Sequence, residues 1–270
     1  MINLLKKSGI KFFNGKIKIP KWCKRIKIDI GLSENAPQTR IWLENQKDLL
    51  VFGFEPVKQN YDTILKGTSK FSNKLDPSFI RKKTFIINCA LGNVEKMKKK
   101  KIYITTKDKG CSSFYKPKWP KVLKTETIKI FPLDEFVKLI PFEKIKFIEH
   151  IKSDCQGSDF DILKKAKYTL KKTAVYTIEC ENKQYFKTNN GVKEISKFFK
   201  GKKFIRYNFL NKFFYKQNLD NFNVDDPTFC NTKYVNKLSK NKVFIYQKGW
   251  MSIITFRQSN REYTEAVGSL

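Results

Sequence analysis

The stretch that most constrains this chain is LLVFGF, residues 49–54, which has no polar side chain and runs directly into Glu55 and Pro56. Six apolar residues are far too few for a membrane-spanning helix, which needs about 20. They suit a strand that is covered on both faces, and strands of that kind belong to parallel sheets with helices on either side. The flanking segments agree. PQTRIWLENQ (37–46) reads as a helix with proline in its first turn, and PVKQNYDTILKG (56–67) reads as a helix that stops at Gly67.

The same alternation continues in both directions. RIKIDI (25–30), KTFIINCA (83–90), KIYITT (101–106), ETIKIF (126–131), KIKFIEHIKSD (144–154) and TAVYTIEC (173–180) read as strands. PLDEFVKLI (132–140) and SDFDILKKAKYTLKK (158–172) read as helices, and KDKGCSSFYKPKWP reads as a loop. Strands alternating with helices predict right-handed crossovers and an open, mostly parallel α/β sheet with helices on both faces. After Glu181 the pattern weakens. GKKFIRYNFL and NKVFIYQKG offer two last strands, and residues 208–240 between them resist assignment. No repeat and no Gly-, Pro- or Ser-rich linker divides the chain, so one domain is expected over residues 25–250. Residues 1–24 form a peripheral extension and 251–270 a tail.

The 270 residues carry 56 Lys and Arg against 25 Asp and Glu, a net charge of +31. That charge points to polyanionic partners such as nucleic acid, or to the lysine-rich composition that an AT-rich genome imposes. KMKKKK, Lys96–Lys101, is the densest patch and is expected between a loop and the following strand. MINLLKKSGIKFFNGK is too charged for a signal peptide. The expectation is a soluble, cytoplasmic protein with no transmembrane segment, whose basic faces leave a membrane-surface role open. The six cysteines include no CxxC pair and His150 is the sole histidine, so buried thiols are expected and a metal centre is not.

Ligands of open α/β sheets bind beyond the C-terminal ends of the strands. Residues expected there are Asp29 and Gly31, then Glu55 and Pro56, then Asn88, Ala90 and Leu91, then Lys152 and Asp154, then Glu179. Glu55, at the end of the second strand, is placed either to accept hydrogen bonds from two ribose hydroxyls or to cap the next helix. The turn DIGLSENAP has Ser33 and Asn35 where a GxGxxG loop would want small residues, which argues against NAD and FAD. Lys152 and Asp154 are two apart and so share one strand face. They would hold each other charged, either to polarise a substrate hydroxyl or as a half-exposed ion pair.

Taken in order, KIDIGLSENAP, VFGFEPVKQNYDTILK, IINCALGN with CSSF and LDEF, and HIKSDCQGSDFDILKKA before Glu179 resemble the FkbM family of S-adenosylmethionine-dependent methyltransferases. The family pattern K-x-D-x-Q-G-x-E is met by Lys152, Asp154, Gln156 and Gly157, with Asp159 in place of glutamate. The resemblance spans roughly residues 25–182. It implies the class I methyltransferase fold, Rossmann-like, with a seven-stranded sheet whose last strand runs antiparallel. It implies that Asp29 and Gly31 line the methionine part of the cofactor, that Glu55 holds the ribose, and that Asn88, Ala90 and Leu91 border the adenine. Ser113 of CSSF would approach the cofactor. Lys152, Asp154 and Glu179 would face the acceptor, with Asp154 or Glu179 as base, and the reaction implied is O-methylation of a sugar, a glycan or a similar small acceptor without a metal. Two alternatives stay open. One is a ribose 2′-O-methyltransferase acting on RNA, with salt-dependent affinity. The other is a non-enzymatic, basic nucleic-acid-binding module on the same scaffold. The sequence leaves the oligomeric state open.

Overall fold

The computed structural model describes residues 1–105, 109–118, 121–181, 191–207 and 224–234. A short helix α1 (Ile2–Lys7) and the strands β1 (Phe12–Phe13) and β2 (Lys16–Ile17) precede β3 (Arg25–Ile30), α2 (Pro37–Asn45), β4 (Leu49–Phe54) and α3 (Lys58–Lys66). Then come β5 (Thr84–Ile87), β6 (Ala90–Leu91), β7 (Lys98–Thr105), β8 (Val122–Phe131), α4 (Leu133–Val137) and β9 (Ile148–Ser153). The described chain continues with α5 (Asp159–Lys164), α6 (Lys167–Lys172), β10 (Thr173–Ile178), β11 (Cys180–Glu181) and α7 (Val192–Lys200), and closes with β12 (Phe204–Tyr207), β13 (Val224–Asp225) and β14 (Thr228–Asn231).

The main sheet has the order β12-β14-β10-β9-β3-β4-β5. It is mixed. The pairs from β10 through β9, β3 and β4 to β5 are parallel, while β14 runs antiparallel to both β10 and β12. Every residue of β4 is buried, as its lack of polar side chains requires. Its alternate side chains feed two cores: Leu50, Phe52 and Phe54 join one with Phe136, Ile162 and Leu170, and Leu49 and Val51 join the other with Trp42, Leu43 and Ile64. The helices α4–α6 and α2–α3 therefore cover opposite faces, and strand periodicity divides the chain's apolar residues between them.

Several sequence expectations need correction. The predicted strand 83–90 breaks at Asn88, whose amide donates to the carbonyls of Glu55 (2.9 Å) and Pro56 (3.1 Å) where a strand would run on through its ladder. The remainder, β6, joins β8 and β7 in a separate three-stranded sheet, β6-β8-β7, so KIYITT and ETIKIF lie outside the main sheet. β7 starts at Lys98, so most of the lysine patch is strand and not loop. The predicted helix 158–172 is two helices. Asp134 of the LDEF segment accepts from the backbone N–H of Tyr168 and Thr169, capping α6 where one continuous helix would have used those donors internally. The unassigned segment 208–240 contains β13 and β14, the second of which is the antiparallel strand of the main sheet. The N-terminal segment is not peripheral, because Leu5, Ile10, Ile17 and Ile19 are buried in the larger core. NKVFIYQKG and the 251–270 tail lie outside the described residues.

Candidate active site

A cavity of about 700 Å³ opens at the C-terminal ends of β3, β4 and β9. Its lining includes Gly31, Glu55, Pro56, Ala90, Leu91, Ser113, Lys152 and Asp154 from the sequence reading. Asp29, Asn88 and Glu179 do not line it. Asp29 pairs in register with Lys152, Asn88 donates to the Glu55 and Pro56 carbonyls, and Glu179 accepts from Gln156, so each adjoins a residue that does.

Strand register brings the pieces together. Asp29 pairs across β3–β9 with Lys152, and Lys152 pairs across β9–β10 with Thr177. Gly31 follows β3 at φ +80°, in the region that only glycine enters freely. A Cβ there would lie 1.9 Å from the Asp154 carbonyl oxygen. Glycine thus lets the two strand-end loops touch. Beyond it, Ser33 (φ 58°) and Ala36 (φ 46°) are left-handed without being glycine. The turn that lacks GxGxxG makes its tight path with small residues held under strain.

At one end of the cavity, Glu55 is buried and accepts from the backbone N–H of Ser33 through Oε2 and of Val57 through Oε1, both at 2.9 Å. Val57 immediately precedes α3, whose first turn has no side-chain cap, so Glu55 holds the approach to the helix and not its free N–H groups. Burial pushes its carboxyl up to about 7, against the pull of those N–H donors. Asp29 lies beneath the floor. Its Oδ2 accepts from the Thr39 hydroxyl at 2.6 Å, and its buried Oδ1 has no partner among the described residues. Burial raises its pKa, with Lys152 pulling the other way.

The other end is a compact charge cluster. Lys152 Nζ lies 2.9 Å from Asp154 Oδ2. The Gln156 side-chain amide donates to both Asp154 Oδ1 and Glu179 Oε1 at 2.9 Å, and its backbone N–H donates to Glu179 Oε2 at 3.0 Å. Burial pulls the Lys152 ammonium down, but Asp154 and Asp29 outweigh it and hold the pKa above the ordinary lysine value. Burial pushes Asp154 up, and Lys152 with its hydrogen-bonding neighbours brings it below the ordinary carboxylate value. Glu179 goes the other way: burial and the charges of Asp154, Asp159 and Asp226 hold it well above its usual range. The surroundings thus favour the charged form of Asp154 and the neutral form of Glu179.

Asp159, the residue in the family's glutamate position, does not reach the cavity. Its carboxylate accepts from the Ser153 hydroxyl and from the backbone N–H of Cys155, which fixes the turn that carries Asp154 and Gln156. Ser113 reaches the same turn from the other side, donating to the Gln156 carbonyl at 2.6 Å. Gln156 sits at φ 51° inside this double tether.

Sequence reasoning gave no role to Asp226 or Thr177, both of which line the cavity. Asp226 falls in the segment that resisted assignment. Thr177 pairs with His150 Nε2 at 2.8 Å and Thr228 Oγ1 at 2.7 Å, and burial keeps that histidine neutral. Strand alternation through TAVYTI could have flagged Thr177 once the face of β10 was known.

No curated protein matches this chain. Among solved structures, the crystal structure of methyltransferase FkbM from Methylobacillus flagellatus KT is similar over 83% of this chain and 47% of that one, with 14% identity and a TM-score of 0.45. The chain thus spans about half the length of that protein. The model of the methyltransferase FkbM domain matches residues 33–209, well over half of the sequence, and on that match this chain belongs to the FkbM methyltransferase family.

Proposed function

We propose that this methyltransferase uses S-adenosylmethionine and methylates a hydroxyl of a neutral sugar or similar polyol, within a class I methyltransferase fold. The observation that carries the reading is the cluster of Lys152, Asp154, Gln156 and Glu179 at one end of a cavity whose other end holds Glu55. The cofactor's needs fit the residues present. Glu55 accepts from Ser33, Val57 and Asn60 and keeps lone-pair capacity on Oε2 for a ribose hydroxyl, Gly31 lines the cavity beside it, and Ala90 and Leu91 give an apolar border.

Bound there, S-adenosylmethionine supplies an electrophilic methyl group. The residues at the acceptor end do the rest. Asp154, ionised and about one-third exposed (34%), accepts the proton of the acceptor hydroxyl. Glu179, whose surroundings favour its neutral form, is the weaker base of the two; through Gln156 it orients the Asp154 carboxylate. Lys152 donates to Asp154 and offers its remaining protons to an acceptor oxygen. One ammonium here faces Asp29, Asp154 and Asp226, whose charges all bear on Lys152. That excess of carboxylate disfavours phosphate and favours an uncharged polyol, which weighs against the RNA alternative.

Calorimetric titration with S-adenosylmethionine and S-adenosylhomocysteine tests the cofactor. One saturable site per chain, lost in Glu55→Ala, is expected. An absence of binding by either ligand would overturn the reading. Methyl transfer to a panel of neutral and phosphorylated sugars then tests the acceptor class.

A further inference from the structure

We propose that the outward face of the antiparallel β7–β8 pair docks this protein on an anionic lipid surface. The face is defined by register. Ile102, Ile104, Ile128 and Ile130 point inward to a buried cluster. The alternate residues point outward: Lys99 opposite Lys129, Lys101 opposite Thr127, and Tyr103 opposite Thr125. All three lysines are exposed, and no acid stands at these outward positions. Directly opposed like charges destabilise a sheet pair. The ion pair that these two strands carry among the described residues, Lys124 with Glu126, stands at positions of the opposite parity. An acid-free face with two lysines held opposite each other is relieved when an anion covers it.

The apolar residues at its ends select the anion. Met97 is 40% exposed just before β7, and Leu123 is 57% exposed at the start of β8. Lysines bracketed by exposed apolar side chains match a bilayer interface, where charge meets anionic headgroups and apolar groups enter the acyl boundary. Nucleic acid would be better served by arginine forks and exposed aromatic platforms. This face offers lysines and one half-buried tyrosine. Contact would be peripheral, since no helix among the described residues is long and apolar enough to cross a membrane. The sheet is also joined to the active site. Ile102 lines the cavity, Tyr103 exchanges two backbone hydrogen bonds with Ser113, and Ser113 holds Gln156. The inference does not depend on which acceptor is methylated.

The test is co-sedimentation of the purified full chain with vesicles of equimolar phosphatidylcholine and phosphatidylserine, and with phosphatidylcholine alone. Binding to the anionic vesicles only, weakened by salt, is expected. Neutralising Lys99 and Lys129 to Gln together should lower the partition coefficient about twenty-five-fold, at about a factor of five per lysine. The same change at Lys66 and Lys200, exposed on α3 and α7, should have little effect. Leu123→Ser should weaken binding without changing its salt dependence. Equal losses from both lysine pairs would reduce the effect to bulk charge and overturn the proposal. So would failure to bind anionic vesicles, or binding of single-stranded RNA in preference to them.

Discussion

Lys152 Nζ and Asp154 Oδ2 stand 2.9 Å apart at the mouth of the parallel sheet, and Gln156 holds the other oxygen of the same carboxylate. Lys152 and Gln156, each two positions from Asp154, thus converge on its carboxylate. Asp154→Asn keeps the shape and removes the negative charge. S-adenosylhomocysteine affinity should be unchanged, and methyl transfer should fall by about 10²–10⁴, the range for loss of a general base. Titration and single-turnover transfer separate the two readouts. Wild-type turnover in Asp154→Asn would exclude the carboxylate as base.

Gly31→Ala tests the contact between the two loops. Its Cβ would meet backbone, the Asp154 carbonyl at 1.9 Å, and its φ of +80° is unfavourable for alanine. Neither the clash nor the strain can be relieved by turning a side chain. A stability loss of more than about 2 kcal/mol is expected, with cofactor binding impaired. Urea denaturation measures the first. An unchanged midpoint would mean that the loops do not meet as described.

Much of this arrangement is legible in the sequence. The apolar run Leu49–Phe54 could only be a doubly covered strand, and Glu55 marked its end. Spacing alone pairs Lys152 with Asp154, although Asp154 lies one residue beyond β9 and not on its face. What was not legible depended on distant partners. Whether residues 158–172 form one helix or two is decided by Asp134, which stands 34 residues before Tyr168 in sequence and 2.9 Å from its N–H. The antiparallel β14 is four residues long and becomes a strand by pairing with β10 and β12. Asp226 entered the site only because that strand follows it. The end of strand 83–90 at Asn88 had the same cause, since an asparagine side chain bonding Glu55 and Pro56 has no local signature.

Asp159 is predicted to act by positioning. Asp159→Ala would leave the buried Ser153 hydroxyl and the partly buried Cys155 N–H without this acceptor. Each unsatisfied group costs about 1–3 kcal/mol. Burial holds this carboxyl up at about 7, so Asp159→Asn resembles its protonated form and should cost less than alanine. Both variants should lower turnover through the turn that carries Asp154 and Gln156. Thermal melts and transfer rates compare them. Equal stability of the two variants would mean that the carboxylate does not hold the turn.

Glu55 gives the site a pH dependence whose sign is fixed by burial. Its ordinary pKa is 4.5 and the folded protein holds it at about 7. Across that window the folded chain keeps a proton that the unfolded chain releases, so the Glu55 contribution to stability falls as pH rises from about 4.5 to about 7. Asp159 adds a slope of the same sign. Glu55→Gln removes only the Glu55 share, and it also forces an amide NH₂ against the N–H of Ser33 or Val57, at a cost of about 1–3 kcal/mol. Ribose hydroxyls donate to a carboxylate, so they favour its ionised form. Affinity for S-adenosylhomocysteine should therefore rise with pH through about 7, and binding near neutrality should release a proton from Glu55. Titration in two buffers of different ionisation enthalpy detects that proton as a difference in apparent heat. Identical heats in both buffers, with affinity flat across the window, would mean that Glu55 keeps one protonation state on binding and does not hold the ribose.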